Sequence, residues 1–144
     1  MAAELHLRIV TPDRTIVDRK VAGVSFEGVD GGYGILPQHA PLMTAVSHTG
    51  TVVITETDGT TVELFASDGF AQMQHNVLTL VCEAGEFATE IDLERVKAAE
   101  QKAREKLAGL DRLSAEFIKA EASLKKALAR EMVARRRSGT GRLS

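Results

Sequence analysis

The stretch Thr51-Val52-Val53-Ile54-Thr55-Glu56-Thr57-Asp58-Gly59-Thr60-Thr61-Val62-Glu63-Leu64-Phe65-Ala66 decides the fold class of the first part of the chain. Two runs rich in β-branched residues flank Asp58-Gly59, which predicts a hairpin closed by a two-residue turn with positive φ at both central positions. The period of two extends outward from there. Leu5, Leu7 and Ile9 alternate with His6 and Arg8, Val24 and Phe26 with Ser25 and Glu27, and Leu78, Leu80 and Cys82 with Thr79 and Val81. Pro12-Asp13, His48-Thr49-Gly50, Ser67-Asp68-Gly69 and His75-Asn76 punctuate these runs as turns. Short strands with frequent turns and no helical stretch between them predict an antiparallel β-sandwich or barrel.

Upstream of the hairpin, Gly28, Gly31, Gly32 and Gly34 run into Ile35-Leu36-Pro37-Gln38-His39-Ala40-Pro41-Leu42. Pro37 and Pro41 lack N–H donors and push Leu36 and Ala40 toward extended backbone, so no helix starts here. A phosphate cradle needs Gly-Lys-Ser/Thr or G-x-G-x-x-G spacing ahead of a helix, and neither is present. The segment is therefore a turn followed by a stiffened loop offering His39 as a contact surface.

Near residue 88 the period changes from two to between three and four. From Asp92 the chain is proline-free and rich in Ala, Glu, Lys, Arg and Leu, predicting two helices divided at Gly109, with Asp92 and Asp111 as N-caps. Glu100 with Arg104, Glu121 with Lys125 and Glu131 with Arg135 stand four apart with the acid first, the spacing of helix-surface pairs. Two seams run through Leu93, Val96, Glu100, Ala103, Leu107 and Leu110, and through Leu110, Leu113, Phe117, Ala120, Leu124 and Ala127. These thin, alanine-dominated faces predict an antiparallel hairpin that is marginal alone, docks on the sandwich or a partner, and moves between docks. The α+β chain thus divides into residues 1–88, a β-sandwich, and 89–144, a helical hairpin with a basic tail.

Composition narrows the function classes. The 144 residues include no Trp, one Tyr and five Phe, so the core is aliphatic. The single Cys82 excludes an internal disulfide, and the opening residues lack the pattern of a secretory signal, which reads as a cytoplasmic protein. No apolar run approaches the roughly 18 residues of a spanning helix, so membrane association goes through a partner rather than by direct insertion. Charge is graded: residues 1–91 carry 12 Asp/Glu against 4 Lys/Arg, and residues 119–144 carry 2 against 8. The basic end reads either as a solvated tail or as a cationic arm seeking an acidic surface. His6, His39, His48 and His75 have no metal-ligand spacing, Cys82 sits in a core-strand pattern, and neither supports a catalytic residue or a metal site. A nucleic-acid module built on Arg135, Arg136 and Arg137 is disfavoured by the acidic sandwich and by an aromatic, Tyr33, without basic neighbours.

Leu7-Arg8-Ile9-Val10-Thr11-Pro12, residues 28–42, Phe65-Ala66-Ser67-Asp68-Gly69-Phe70 and Ile91-Asp92-Leu93-Glu94-Arg95 together resemble the epsilon subunit of the rotary F-type ATP synthase, bacterial type, along nearly the whole chain. The resemblance implies a ten-stranded β-sandwich followed by a two-helix hairpin. It implies a non-catalytic rotor subunit of the central stalk, peripheral on the cytoplasmic face of the bacterial inner membrane, that couples the c ring and gamma subunit to the catalytic head. On that resemblance His39, with Gln38 and Tyr33, faces the c-subunit ring. The hairpin extends to stop ATP hydrolysis, with Lys125, Lys126, Arg130 and Arg135, and more weakly Arg136 and Arg137, meeting the catalytic beta subunit. Ile91, Asp92, Arg95, Lys102 and Lys125 are implied as a nucleotide site that takes ATP as a weak regulatory ligand, with no other cofactor. For Asp92 and Arg95 the alternative is a helix cap and a surface residue. Two other classes of function stand beside this one: an ATP-binding sensor module and a basic-tailed nucleic-acid-binding domain.

Overall fold

The computed structural model describes residues 3–143, with side chains through Arg136, and divides between Phe87 and Ala88 into two compact units. The first is all β: β1 (Leu5–Val10), β2 (Thr15–Val21), β3 (Gly23–Gly28), β4 (Gly31–Ile35), β5 (Leu42–Val46), β6 (Thr51–Thr55), β7 (Thr61–Gln74) and β8 (Val77–Phe87). The second holds a single 3-10 turn (Ala88–Glu90), α1 (Leu93–Ala108) and α2 (Ala115–Leu143).

The strands form a sandwich, with eight of them among the described residues where the resemblance implies ten. β7 and β8 account for the difference, because each runs long and unbroken and β7 serves two partners. Its first part, from Thr61 to Phe65, pairs with β6; its second, from Gly69 to Met73, pairs with β5. β3 pairs with both β6 and β5, so the ladder β7–β6–β3–β5 returns to β7 and closes on itself. From there β8, β1 and β2 extend the sheet, and β1 lies parallel to β8, against the antiparallel expectation. That parallel pair joins strands far apart in the chain, which no local alternation reveals.

The alternation is otherwise obeyed. Leu5, Leu7 and Ile9 of β1 and Leu78, Leu80 and Cys82 of β8 are buried, and they join Val24, Phe26, Val52, Ile54 and Met73 in one aliphatic core. It breaks over residues 64–67, four buried positions in a row, where β7 passes from one partner to the other. Ser67-Asp68-Gly69 is accordingly no turn but the interior of a strand. Asp68 takes a positive φ of 57°, and a Cβ at Gly69 would stand 1.7 Å from the carbonyl oxygen of Val81.

The Asp58-Gly59 hairpin forms with a different turn from the expected one. Gly59 N–H donates to Glu56 C=O (3.0 Å), Glu56 N–H donates to Thr60 C=O (2.8 Å), and only Gly59 has a positive φ. This is the longer loop built on an ordinary turn followed by a glycine bulge, rather than the two-residue turn. Asp58 Oδ1 accepts from Thr60 N–H and Oγ1–H (2.9 and 2.6 Å), holding the Asp58 carboxyl below the usual range.

In the second unit Asp92 caps α1 as expected, accepting from Glu94 N–H (3.0 Å) and Arg95 N–H (3.3 Å). α2 begins later than expected. Its cap is Ser114, whose Oγ accepts from Phe117 N–H (3.1 Å), while Asp111 folds the preceding turn by accepting from Leu113 N–H (3.0 Å). Leu113 therefore falls in the connection and is 90% exposed, not in the seam. Val96, Ala103, Ala120 and Ala127 are buried seam residues, as the period predicts. Glu121–Lys125 (3.6 Å) and Glu131–Arg135 (2.8 Å) form along the surface of α2. Glu100 instead turns across the hairpin to Glu131. Its hydrogen bond to Glu131, with burial, pushes Glu100 above the ordinary glutamate range, and the same bond, with Arg135, holds Glu131 below it.

Candidate functional site

Between β4 and β5, residues 36–41 form a fixed loop. His39 N–H donates to Leu36 C=O (3.1 Å), Pro37 occupies the second position of the turn, and Gln38 follows with φ 65°. Proline then a positive φ is the signature of a type II turn, although the third position normally takes Gly or Asn. His39 Nδ1 lies 2.7 Å from Ala40 C=O. A carbonyl only accepts, so Nδ1 donates there, and Nε2 is the ring's remaining polar edge. Leu36 beside it is 67% exposed.

The loop is tied down from outside. Gln38 N–H donates to Asn76 Oδ1 (2.8 Å), and Asn76 Nδ2–H donates to Glu4 C=O (2.9 Å). Neither contact could be read from the sequence, where His75-Asn76 signals only a turn. Tyr33 belongs to a different cluster. Its ring stacks on Phe26 at 5.3 Å between centroids, and its hydroxyl donates to Asp30 at 2.9 Å. The structure thus groups His39 and Gln38, and leaves Tyr33 engaged within the β3–β4 hairpin.

The cations of α2 do not share one face. At about 100° per residue, Lys126 and Arg130 lie close together around the helix, while Lys125 and Arg135 stand on another side. Lys126 and Arg130 are half-buried; Lys125 and Arg135 are exposed and held by Glu121 and Glu131. Arg136 is exposed, and the side chain of Arg137 lies outside the described residues.

The nucleotide-site residues are not brought together either. Ile91 is buried, the Asp92 carboxylate is occupied by the α1 N-terminus, and Arg95 and Lys125 are exposed. Lys102 lines an open groove of about 790 Å³ between α1 and α2, with Lys106, Lys119 and Ser123. Cys82 is buried, and burial and the nearby Asp68 charge push its thiol up to about 11, the state of an inert core cysteine. Among the described residues no helix is long and apolar enough to cross a membrane.

Residues 4–88 match the family described as ATP synthase, Delta/Epsilon chain, beta-sandwich domain, and residues 89–134 match its long alpha-helix domain. The chain belongs to the ATP synthase delta/epsilon chain family. An ATP synthase epsilon chain of Nitratidesulfovibrio vulgaris is 35% identical over 92% of this chain and 97% of its own length. That of Halalkalibacterium halodurans is 37% identical over 92% and 98%. The fold recurs in a chain of the Euglena gracilis mitochondrial ATP synthase OSCP/F1/c-ring structure, at 23% identity and a TM-score of 0.79, covering 90% of this chain and 81% of that one. It recurs in the Tetrahymena thermophila mitochondrial ATP synthase central stalk/c-ring structure at 12% identity, TM-score 0.61, covering 93% and 97%.

Proposed function

We propose that this chain is a non-catalytic rotor subunit of the central stalk of a proton-driven ATP synthase, peripheral on the cytoplasmic face of a bacterial membrane. Its sandwich binds the gamma subunit and rests on the c ring through the 36–41 loop. Its helical unit restrains ATP hydrolysis by the catalytic head through the basic residues of α2, Lys125 and Arg135 outermost. The observation that carries this reading is the fixed loop, which presents exposed Leu36 and the free edge of His39 in a rigid turn on a member of the epsilon-chain family. The bacterial relatives are named ATP synthase epsilon chain, and the structures that share the fold are of an OSCP/F1/c-ring assembly and a central stalk/c-ring assembly.

The test is co-purification of the full chain with gamma and the c ring, followed by ATP hydrolysis of the assembly with and without the residues after Ala88. Removal should raise hydrolysis several-fold. Failure to co-purify defeats the rotor reading, and hydrolysis that is unchanged or lower defeats the restraint. ATP sensing is a second reading, favoured by the Lys102-lined groove. Titration calorimetry of the full chain with ATP decides it, and affinity no better than millimolar removes it.

A further inference from the structure

We propose that Asn76 is the positioning residue of the 36–41 loop, holding from the β7–β8 turn the backbone form in which His39 is presented to the rotor ring. The proposal rests on the reading of that loop as a ring contact.

The geometry starts with Gln38. A glutamine at φ 65° sits where a Cβ is disfavoured, so the type II turn needs support. Pro37 supplies half of that support by fixing its own φ. The rest comes from the Asn76 side chain, whose Oδ1 accepts the Gln38 N–H at 2.8 Å. Its orientation is unambiguous, because an N–H can only donate and the Glu4 carbonyl, 2.9 Å from Nδ2, can only accept. Asn76 is anchored in turn by its backbone, since its C=O accepts from His6 N–H at 3.1 Å. From the β7–β8 turn one side chain therefore reaches the loop, 38 positions away in sequence, and the residue just before β1, 72 positions away.

The competing explanation is that asparagine is present only because the turn demands it. His75 and Asn76 have φ of 53° and 61°, the pair of positive values that favours Asn or Gly. The two explanations separate by substitution. Asn76→Gly keeps the turn, since glycine takes positive φ freely, and deletes both side-chain bonds. Asn76→Asp keeps an acceptor for Gln38 N–H and sets a second acceptor oxygen against the Glu4 carbonyl, turning that contact repulsive.

Amide exchange on the full chain reads this directly. In Asn76→Gly the Gln38 amide should exchange roughly tenfold faster, the order of effect of losing one hydrogen bond. In Asn76→Asp it should stay within about threefold of the parent. The Leu78 and Leu80 amides of β8 should keep their protection in both. Unchanged Gln38 exchange in Asn76→Gly overturns the proposal, as does an equal loss at Leu78 and Leu80, which would make Asn76 a turn former only. In the assembled complex, Asn76→Gly should lower ATP synthesis driven by a proton gradient, with recovery in Asn76→Asp. A freed Gln38 amide with synthesis unchanged leaves Asn76 holding the loop and overturns the ring-contact reading instead.

Discussion

At Gly69 the backbone of β7 runs so close to β8 that even one carbon has no room. The nearest three atoms to a Cβ there are all backbone atoms of Val81 and Cys82, so no side-chain rotation relieves the clash. Gly69→Ala should cost about 3 kcal/mol or more, at the upper end of overpacking effects, because two paired strands must separate. The urea midpoint of the full chain measures this, and a loss below about 0.5 kcal/mol, the range of ordinary surface changes, would refute the close approach. The sequence flags Ser67-Asp68-Gly69 correctly as unusual backbone and wrongly as a turn. A glycine required for close approach and one required for reversal look alike until the neighbouring strand is in place. The same limit applies to Asn76, legible as a turn residue and illegible as a brace for Gln38.

Elements show the same division between near and far. α1 starts at its expected cap because Asp92 acts on amides two and three residues away. At α2 two candidates compete, and Ser114 prevails because Asp111 is occupied with the connecting turn. Ser114→Ala should therefore destabilise the helical unit by about 1 kcal/mol, the usual worth of an N-cap. Helix content followed by circular dichroism during thermal unfolding checks this, with Asp111→Ala as the weaker comparison. The Glu100–Glu131 pair makes the hairpin sensitive to pH. Glu100 is shifted up, so its contribution is present at low pH and fades as pH rises through its folded value; Glu131 is shifted down, so its contribution fades as pH falls through its own. Lys97 and Arg104 around Glu100, and Lys97 and Arg135 around Glu131, favour the charged forms, against the mutual repulsion of the two carboxylates. Glu100→Gln copies the protonated form. It should raise the melting temperature of the helices at the alkaline end of a pH series and flatten their loss of stability as pH rises; an unaltered profile would show that the pair does not control the hairpin.

Across the whole molecule the two units are built on different amounts of core. The sandwich closes its ladder and buries a large aliphatic cluster, while the second unit, among the described residues, buries Ile91, Val96 and Val133 and otherwise only alanines, among them Ala103, Ala120, Ala127 and Ala134. Exchange should reflect this, with amides in the middle of α1 and α2 at least tenfold less protected than those of β1 and β8. Equal protection, measured on the full chain by mass spectrometry, would contradict a loosely held helical unit. Hydrophobic period alone determined the two kinds of structure, the change near residue 88, the faces of most strands and the helix seams, because each depends on residues within a turn or two of one another. The stiffness of the glycine-proline segment was likewise legible, but its first part, Gly31–Ile35, is a strand that buries Ile35, and His39 is half-buried. Only the tertiary structure decided that β1 runs parallel to β8, that β7 and β8 each run long and β7 serves two partners, that Glu100 lies near Glu131, and that Asn76 reaches the loop of His39. Those contacts join residues tens of positions apart, where the chain carries no periodic signal and position in space alone selects the partner.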